Sequence, residues 1–327
     1  MHATESRIEA AATALARVRP RAGRWARTMR AVRQSWQLYM LLFLPMVYLL
    51  VFKYYPMYGA QIAFRDFNPI GGITGSPWVG LDHFQRFVTS YNFWPVMRNT
   101  LELSLYNLAA GFPFPILLAL SLNYVGSRHF RKTVQMVAYA PYFISTVVMV
   151  GIILTLLQPN GGLVNMLLGL VHIGPVDFMG NASYFIHIFV WSGVWQTVGF
   201  SCIVYLAALT GVDPTLHEAA IVDGASKWQR IRHIDLPGIA PIMVILLILD
   251  MGSILTISYQ KVLLLQNPIN QSVSEVLDLY VYHVGLASAL PQFSYASAIG
   301  LFKSVIALVL IVVVNRFARR VSASSLW

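Results

Sequence analysis

Few residues in this chain are of a kind that does chemistry, and several of those sit inside or beside apolar runs. Glu102, Asp250 and Lys303 fall among stretches dense in Leu, Ile and Val, as does His187. An ionisable group at that depth costs about 2.5–3.5 kcal/mol on insertion scales, so it pairs with an opposite charge or lines a polar path. Both outcomes stay open here: a structural ion pair between Lys303 and one acid, or groups facing a substrate route. No Gly-x-x-x-x-Gly-Lys-Ser/Thr phosphate loop occurs in the sequence, so nucleotide is not bound by that device. No His, Cys, Asp or Glu cluster has metal-ligand spacing, and no nucleophile stands at motif spacing from a base. The chain reads as non-catalytic, with no metal and no cofactor of its own. The one cysteine, Cys202, lies in an apolar run and reads as a small packing residue.

The elements that carry these groups are membrane helices. Of 327 residues, 57% are hydrophobic and 11% charged, against about 25% charged in a soluble domain. Apolar runs near 36–53, 100–122, 134–157, 183–208, 239–258 and 295–315 are each close to the ~20 residues needed to cross a bilayer at about 1.5 Å per residue. The expected class is an all-α membrane protein of six transmembrane helices. Its span domain covers 36–320, after a basic tail over 1–35 and before a short C-terminal tail over 321–327. The tail reads either as a helix on the inner membrane surface or as a disordered arm. Its length and the lack of a small-residue cleavage site argue against a cleaved signal peptide.

The formal net charge of +10 would raise nucleic-acid binding in a soluble protein, but here its placement gives another explanation. With the N-terminus inside, the inner segments hold 17 of the 23 Lys and Arg residues: eight arginines in the tail, Arg128, Arg131 and Lys132, then Lys227, Arg230 and Arg232, then Arg316, Arg319 and Arg320. The outer segments hold five, Lys53, Arg65, Arg86, Arg98 and Lys261, and Lys303 lies within a span. The positive-inside rule accounts for this asymmetry without nucleic acid and puts both termini in the cytoplasm. The longer connections fall outside and carry Gly, Pro and aromatic residues, as expected of small ordered caps.

The connection between the fourth and fifth spans, Gly211 to Pro241, is the most informative segment. Asp213 can cap a helix whose first position is Pro214. A short amphipathic helix follows, with Leu216, Ala220 and Ile221 toward one side. Gly224 permits a sharp turn, and a second short helix leads through Leu236, Pro237 and Gly238 into the fifth span. Such a helix-turn-helix cannot cross the membrane and presents a helix end to the cytoplasm. Two other function classes remain open from these residues alone: an ion-coupled transporter using Glu102, Asp250, Lys303 or His187, and a membrane scaffold or sensor that docks a cytoplasmic partner.

Glu218-Ala219-Ala220, then Gly224 after three residues, then Ile234, Leu236 and Pro237, with Asp223 and Ala225 flanking the glycine, resemble the EAA loop of binding-protein-dependent ABC importer permeases. The stretches 38–69 and 78–87 are similar to the start of permeases for complex oligo- and polysaccharides, a branch that includes alginate importers. The likeness runs from about residue 33 to the C-terminus. It implies a type I ABC importer permease fold in the bacterial inner membrane, with 211–238 as the coupling loop. It implies a second six-span permease, a dimer of ATPase subunits carrying ATP and Mg, and a periplasmic solute-binding protein. Glu218 would be the acidic residue of the docking surface, Ala219 and Ala220 would allow close approach, and Gly224 would set the turn. A saccharide route would suit Trp191 and Trp195, which share a face at i, i+4, together with Gln196, Asp250, Tyr259, Gln260 and Lys303. Aromatic helix packing is the other reading of those tryptophans.

Overall fold

The computed structural model describes residues 33–321. The tail expected over 1–35, apart from its last three residues, and the one expected over 321–327, apart from Val321, lie outside the described residues. Among the described residues every regular element is helical, and the one β feature is an isolated bridge between Arg65 and Trp78. Among the described residues five helices are long and apolar enough to cross a membrane, or six if one bent pair counts as a span.

Backbone contacts divide the chain between Ala60 and Gln61. The first unit contains α1, Trp36–Leu49, which runs on through a π turn at Leu50–Tyr54 into a 3-10 stretch, Tyr55–Phe64. No side chain of α1 is buried. Its apolar side chains all round the helix suit contact with lipid tails, and its backbone groups are closed internally.

The second unit holds the remaining helices. A short α2, Asp82–Val88, precedes α3, Phe93–Gly111, and α4, Pro113–Asn123, which together make one span. Pro113 and Pro115 stand in the first turn of α4, where a missing N–H costs least. The third apolar run is not one straight helix. It is α5, Arg128–Tyr139, with a 3-10 turn over Ala140–Phe143, and then α6, Thr146–Leu156, bent by 103°. Pro141 lies in the 3-10 turn, Ile144 is extended, and the Ser145 hydroxyl accepts the Val148 N–H at 3.4 Å to start α6 afresh. A new cap inside an apolar stretch has no signature in hydropathy.

Beyond α7, Leu163–Leu170, lies α8, Ala182–Thr210, capped by the Asn181 side chain on the Ser183 N–H. The elbow between the fourth and fifth apolar runs is α9, Pro214–Val222, and α10, Lys227–Arg230. A π turn at Ile231–Asp235 joins α10 to α11, Leu236–Gly252. The second short helix is thus the first turns of the next span rather than a separate rod, and helix ends at Gly252. Then come α12, Tyr259–Leu265, α13, Leu277–Tyr282, and α14, Phe293–Val321.

Helix α8 is the centre of the second unit and packs on α3, α4, α5 and α11. Its crossing with α5 depends on Gly199, since a Cβ there would stand 1.9 Å from the Ala138 carbonyl oxygen. Small residues at such crossings let helix backbones approach within lipid. One core cluster joins Leu103, Phe185, Phe189, Val262 and Leu279; a second joins Ile116, Ala119, Cys202, Tyr205 and Ile239. The connections at the end away from the elbow are pinned by side chains. Asn99 donates to the carbonyls of Ser272 and Glu275, and the Thr100 hydroxyl accepts the Leu277 N–H at 2.8 Å.

Candidate functional site

The elbow between α8 and α11 is built from local signals. The Asp213 carboxylate accepts the Thr215 N–H at 2.9 Å and Pro214 opens α9. That bond, with a further one from the Thr215 side chain, holds Asp213 below the usual carboxylate range. At the far end Gly224 has φ +75°. The Ala225 N–H reaches the Ala220 carbonyl at 2.8 Å and the Gly224 N–H reaches that of Ile221 at 3.0 Å. This pair of bonds is a Schellman ending, which requires the left-handed residue that glycine supplies. Ser226 and Gln229 then cap α10 reciprocally, at 3.4 and 2.7 Å.

The face that α9 turns inward differs from the expected one. His217 and Ala220 are half-buried, whereas Leu216, Ile221 and Val222 are 52%, 56% and 88% exposed. Glu218, Ala219, Asp223 and Gly224 are exposed beside them, and Ala225, Ile234 and Leu236 are half-buried. Glu218, Ala219, Asp223 and Gly224 with the three apolar side chains thus form one free surface, from which Ala220 is turned away. The reason lies in a polar latch that the sequence reading missed. The His217 Nε2 lies 3.3 Å from the carboxylate of Asp235, which is 0% exposed. The Tyr124 hydroxyl, at the end of α4, donates to the same carboxylate at 2.6 Å. The Arg230 guanidinium stands 5.5 Å from the centre of the Tyr124 ring. Burial and the bond to Asp235 push the Tyr124 phenol well above its usual value. Gly238 completes the fit, because a Cβ there would sit 2.7 Å from the Val212 side chain. Histidine, aspartate and tyrosine so far apart along the chain give no local pattern to read.

Four of the seven residues expected along a saccharide route line one of two cavities. The first, of ≈ 380 Å³, lies between α3, α8, α11 and α12 and is lined by Gln196 and Asp250 together with Ser104, Asn107 and Lys261. Gln196 donates to the Ile144 carbonyl at 2.9 Å, at the break between α5 and α6. The second, of ≈ 610 Å³, includes Tyr259 and Lys303. Lys303 is paired there, and its acid is Asp278 of α13 rather than Glu102 or Asp250. Glu102 instead pairs with Arg98 one turn away, at 2.7 Å on an exposed face. Trp191, Trp195 and Gln260 line neither cavity. The Trp191 indole donates to the Tyr106 hydroxyl at 2.8 Å, and that hydroxyl is 3.0 Å from His187 Nδ1. These rings form a helix-packing cluster. Lys261, counted with the outer segments on sequence, is 6% exposed and lies within the first cavity's wall. A cation in a connection reads as solvated until the fold shows the connection dipping inward. Among the described residues no group of three His, Cys, Asp or Glu could hold a metal.

This architecture has close counterparts. Residues 111–323 match the family of binding-protein-dependent transport system inner membrane components. The chain is 42% identical over 292 residues to the polygalacturonan/rhamnogalacturonan transport system permease protein YteP of Bacillus subtilis (strain 168), covering 89% of this chain and 90% of that one. It is 29% identical to the arabinooligosaccharides transport system permease protein AraP of the same organism, over 84% of this chain and 85% of that one. Among solved structures it is similar to a chain of a bacterial ABC transporter involved in the import of the acidic polysaccharide alginate. The TM-score is 0.82 with 38% identity, covering 90% of this chain and 99% of that chain. A second structure of the alginate transporter, in complex with an alginate pentasaccharide-bound periplasmic protein, gives 0.82 at 37% identity over 91% and 99% of the two chains. The chain belongs to the binding-protein-dependent transport system inner membrane components, as a permease of a sugar or polysaccharide ABC transporter.

Proposed function

We propose that this permease forms half of the path of an ATP-driven importer for complex acidic oligosaccharides, and that α9 is the part gripped by the motor. The relatives named for polygalacturonan/rhamnogalacturonan and for alginate support the acidic substrate class. A second six-span permease completes the path, two ATPase subunits carry ATP and Mg, and a periplasmic binding protein delivers the sugar from the opposite side. The distribution of Lys and Arg supports cytoplasmic termini and a cytoplasmic elbow.

The observation that carries this reading is the exposed surface of Glu218, Ala219, Ile221, Val222 and Asp223 on a helix latched by His217 to the buried Asp235. A surface free to dock and a foot fixed to the span make a lever. ATP closes the ATPase dimer and draws the two coupling helices together. Because the π turn runs straight from the elbow into α11, displacement of α9 is passed to the spans by rigid-body motion. Sugar enters the opened cavity, and hydrolysis resets it. This chain supplies no bond chemistry.

The test is Glu218→Lys in the complete importer reconstituted in lipid. Sugar-stimulated ATPase activity should fall at least tenfold while the complex still inserts and assembles. Normal stimulation in that variant would contradict the docking role.

A further inference from the structure

Lys261 is a buried cation without a counter-ion among the described residues. The residue, on the first turn of α12, is 6% exposed, and its ammonium donates to the Phe189 carbonyl at 2.8 Å. It also lies 4.6 Å from the centre of the Phe189 ring. Among the described residues no carboxylate comes within 4.0 Å of it. An ammonium has three donors, and the Phe189 carbonyl takes one. A second observation points into the same space: the Ser104 hydroxyl, on a residue 6% exposed, has no hydrogen-bond partner among the described residues. Both residues line the ≈ 380 Å³ cavity, with Asn107, Gln196 and Ser258 around them.

A buried charge is costly unless an opposite charge or several dipoles compensate it. Helix packing alone does not explain it, since an apolar side chain would fill the site without that cost. The other ionisable group of the cavity is Asp250, which stands in no ion pair with Lys261.

We propose that Lys261 is the specificity-determining residue of this cavity, pairing its ammonium with the carboxylate of a uronate unit while Ser104 bonds a hydroxyl of the same saccharide. This rests on the importer reading above and names the group that selects charge within it. A uronate supplies the missing counter-ion to a buried ammonium, where such a pair discriminates strongly. A neutral sugar leaves the ammonium as it was.

The test uses the complete importer in nanodiscs, with trisaccharides of mannuronate and of galacturonate and with neutral galactotriose. A carbodiimide activates the uronate carboxyl and the Lys261 amine attacks it, forming an amide and releasing the urea. Mass spectrometry should find that adduct on Lys261, suppressed by excess unactivated uronate and not by galactotriose. In transport, Lys261→Met should lower the uronate-to-galactotriose ratio at least tenfold, and Lys261→Arg should hold it within about threefold. An adduct joining Lys261 to a carboxylate of the second permease, or no adduct at Lys261, overturns the proposal. A ratio unmoved by Lys261→Met, as a purely structural tether would give, also overturns it. Glu218→Lys is read separately by ATPase stimulation, so failure of the coupling reading is not mistaken for failure here.

Discussion

The imidazole of His217 stands 3.3 Å from the buried carboxylate of Asp235, tying an otherwise exposed helix to the foot of the next span. Tyr124 bonds the same carboxylate from a third helix end. Removing one partner from a buried charged group leaves its desolvation uncompensated, about 1.5–3 kcal/mol for a bond to an ion. Tyr124→Phe should therefore lower stability by roughly that amount, seen as a lower thermal midpoint of the assembled importer. It should also loosen coupling, raising ATPase activity without sugar relative to activity with it. An unchanged midpoint and unchanged stimulation would remove the latch from the account.

The elbow should be held best at intermediate pH. Asp213, below its usual carboxylate value because Thr215 bonds its ionised form, contributes its cap above the unfolded value. That contribution is lost as pH falls through the lowered folded value. Tyr124 is raised above its usual value of 10.0 by burial and by Asp235. Its contribution is complete below that value and declines as pH rises beyond it. Limited proteolysis at the elbow across pH should show protection failing at both extremes, with Asp213→Asn flattening the acid limb alone.

At Gly224 the backbone has φ +75°, where a residue with a Cβ pays about 1–2 kcal/mol. Gly224→Val should reduce sugar-stimulated ATPase severalfold, and Gly224→Asn, which tolerates the left-handed region, should lie between it and the parent. Equal activity of all three would show that the Schellman turn is not needed for coupling.

Gly199 tests the helix crossing instead of the elbow. A Cβ 1.9 Å from the Ala138 carbonyl oxygen cannot be accommodated without separating α8 from α5. Gly199→Ala should destabilise by about 1–3 kcal/mol, the usual range for overpacking. Thermal unfolding of the purified complex measures it, with Gly151→Ala, where a Cβ meets nothing within 4 Å, as the comparison.

The elbow was legible in the chain because its determinants are local. Asp213 before Pro214 and glycine at 224 each act within one turn, and the structure shows both. The apolar runs were legible for the same reason, since composition alone makes a span. What escaped were contacts between distant segments. Tyr124 meets Asp235 across 111 positions, and no spacing rule links them. Lys303 found its acid in Asp278, on a connection read as part of an ordered outer cap. Lys261 was hidden likewise, because hydropathy cannot tell a connection that stays outside from one folded back among the helices. The break at Ile144 escaped because a straight helix and two capped halves have the same apolar content.

The grip on α9 is tested most directly by crosslinking. Val222→Cys is suited to this, being 88% exposed at the end of the helix, while the chain's own Cys202 is buried. A short thiol-to-amine crosslinker applied to the complete importer in membranes should join position 222 to the ATPase subunit, in a yield that changes when ATP is added. Crosslinks that reach only lipid-exposed or periplasmic partners, with none to the ATPase subunit in either nucleotide state, would contradict the account.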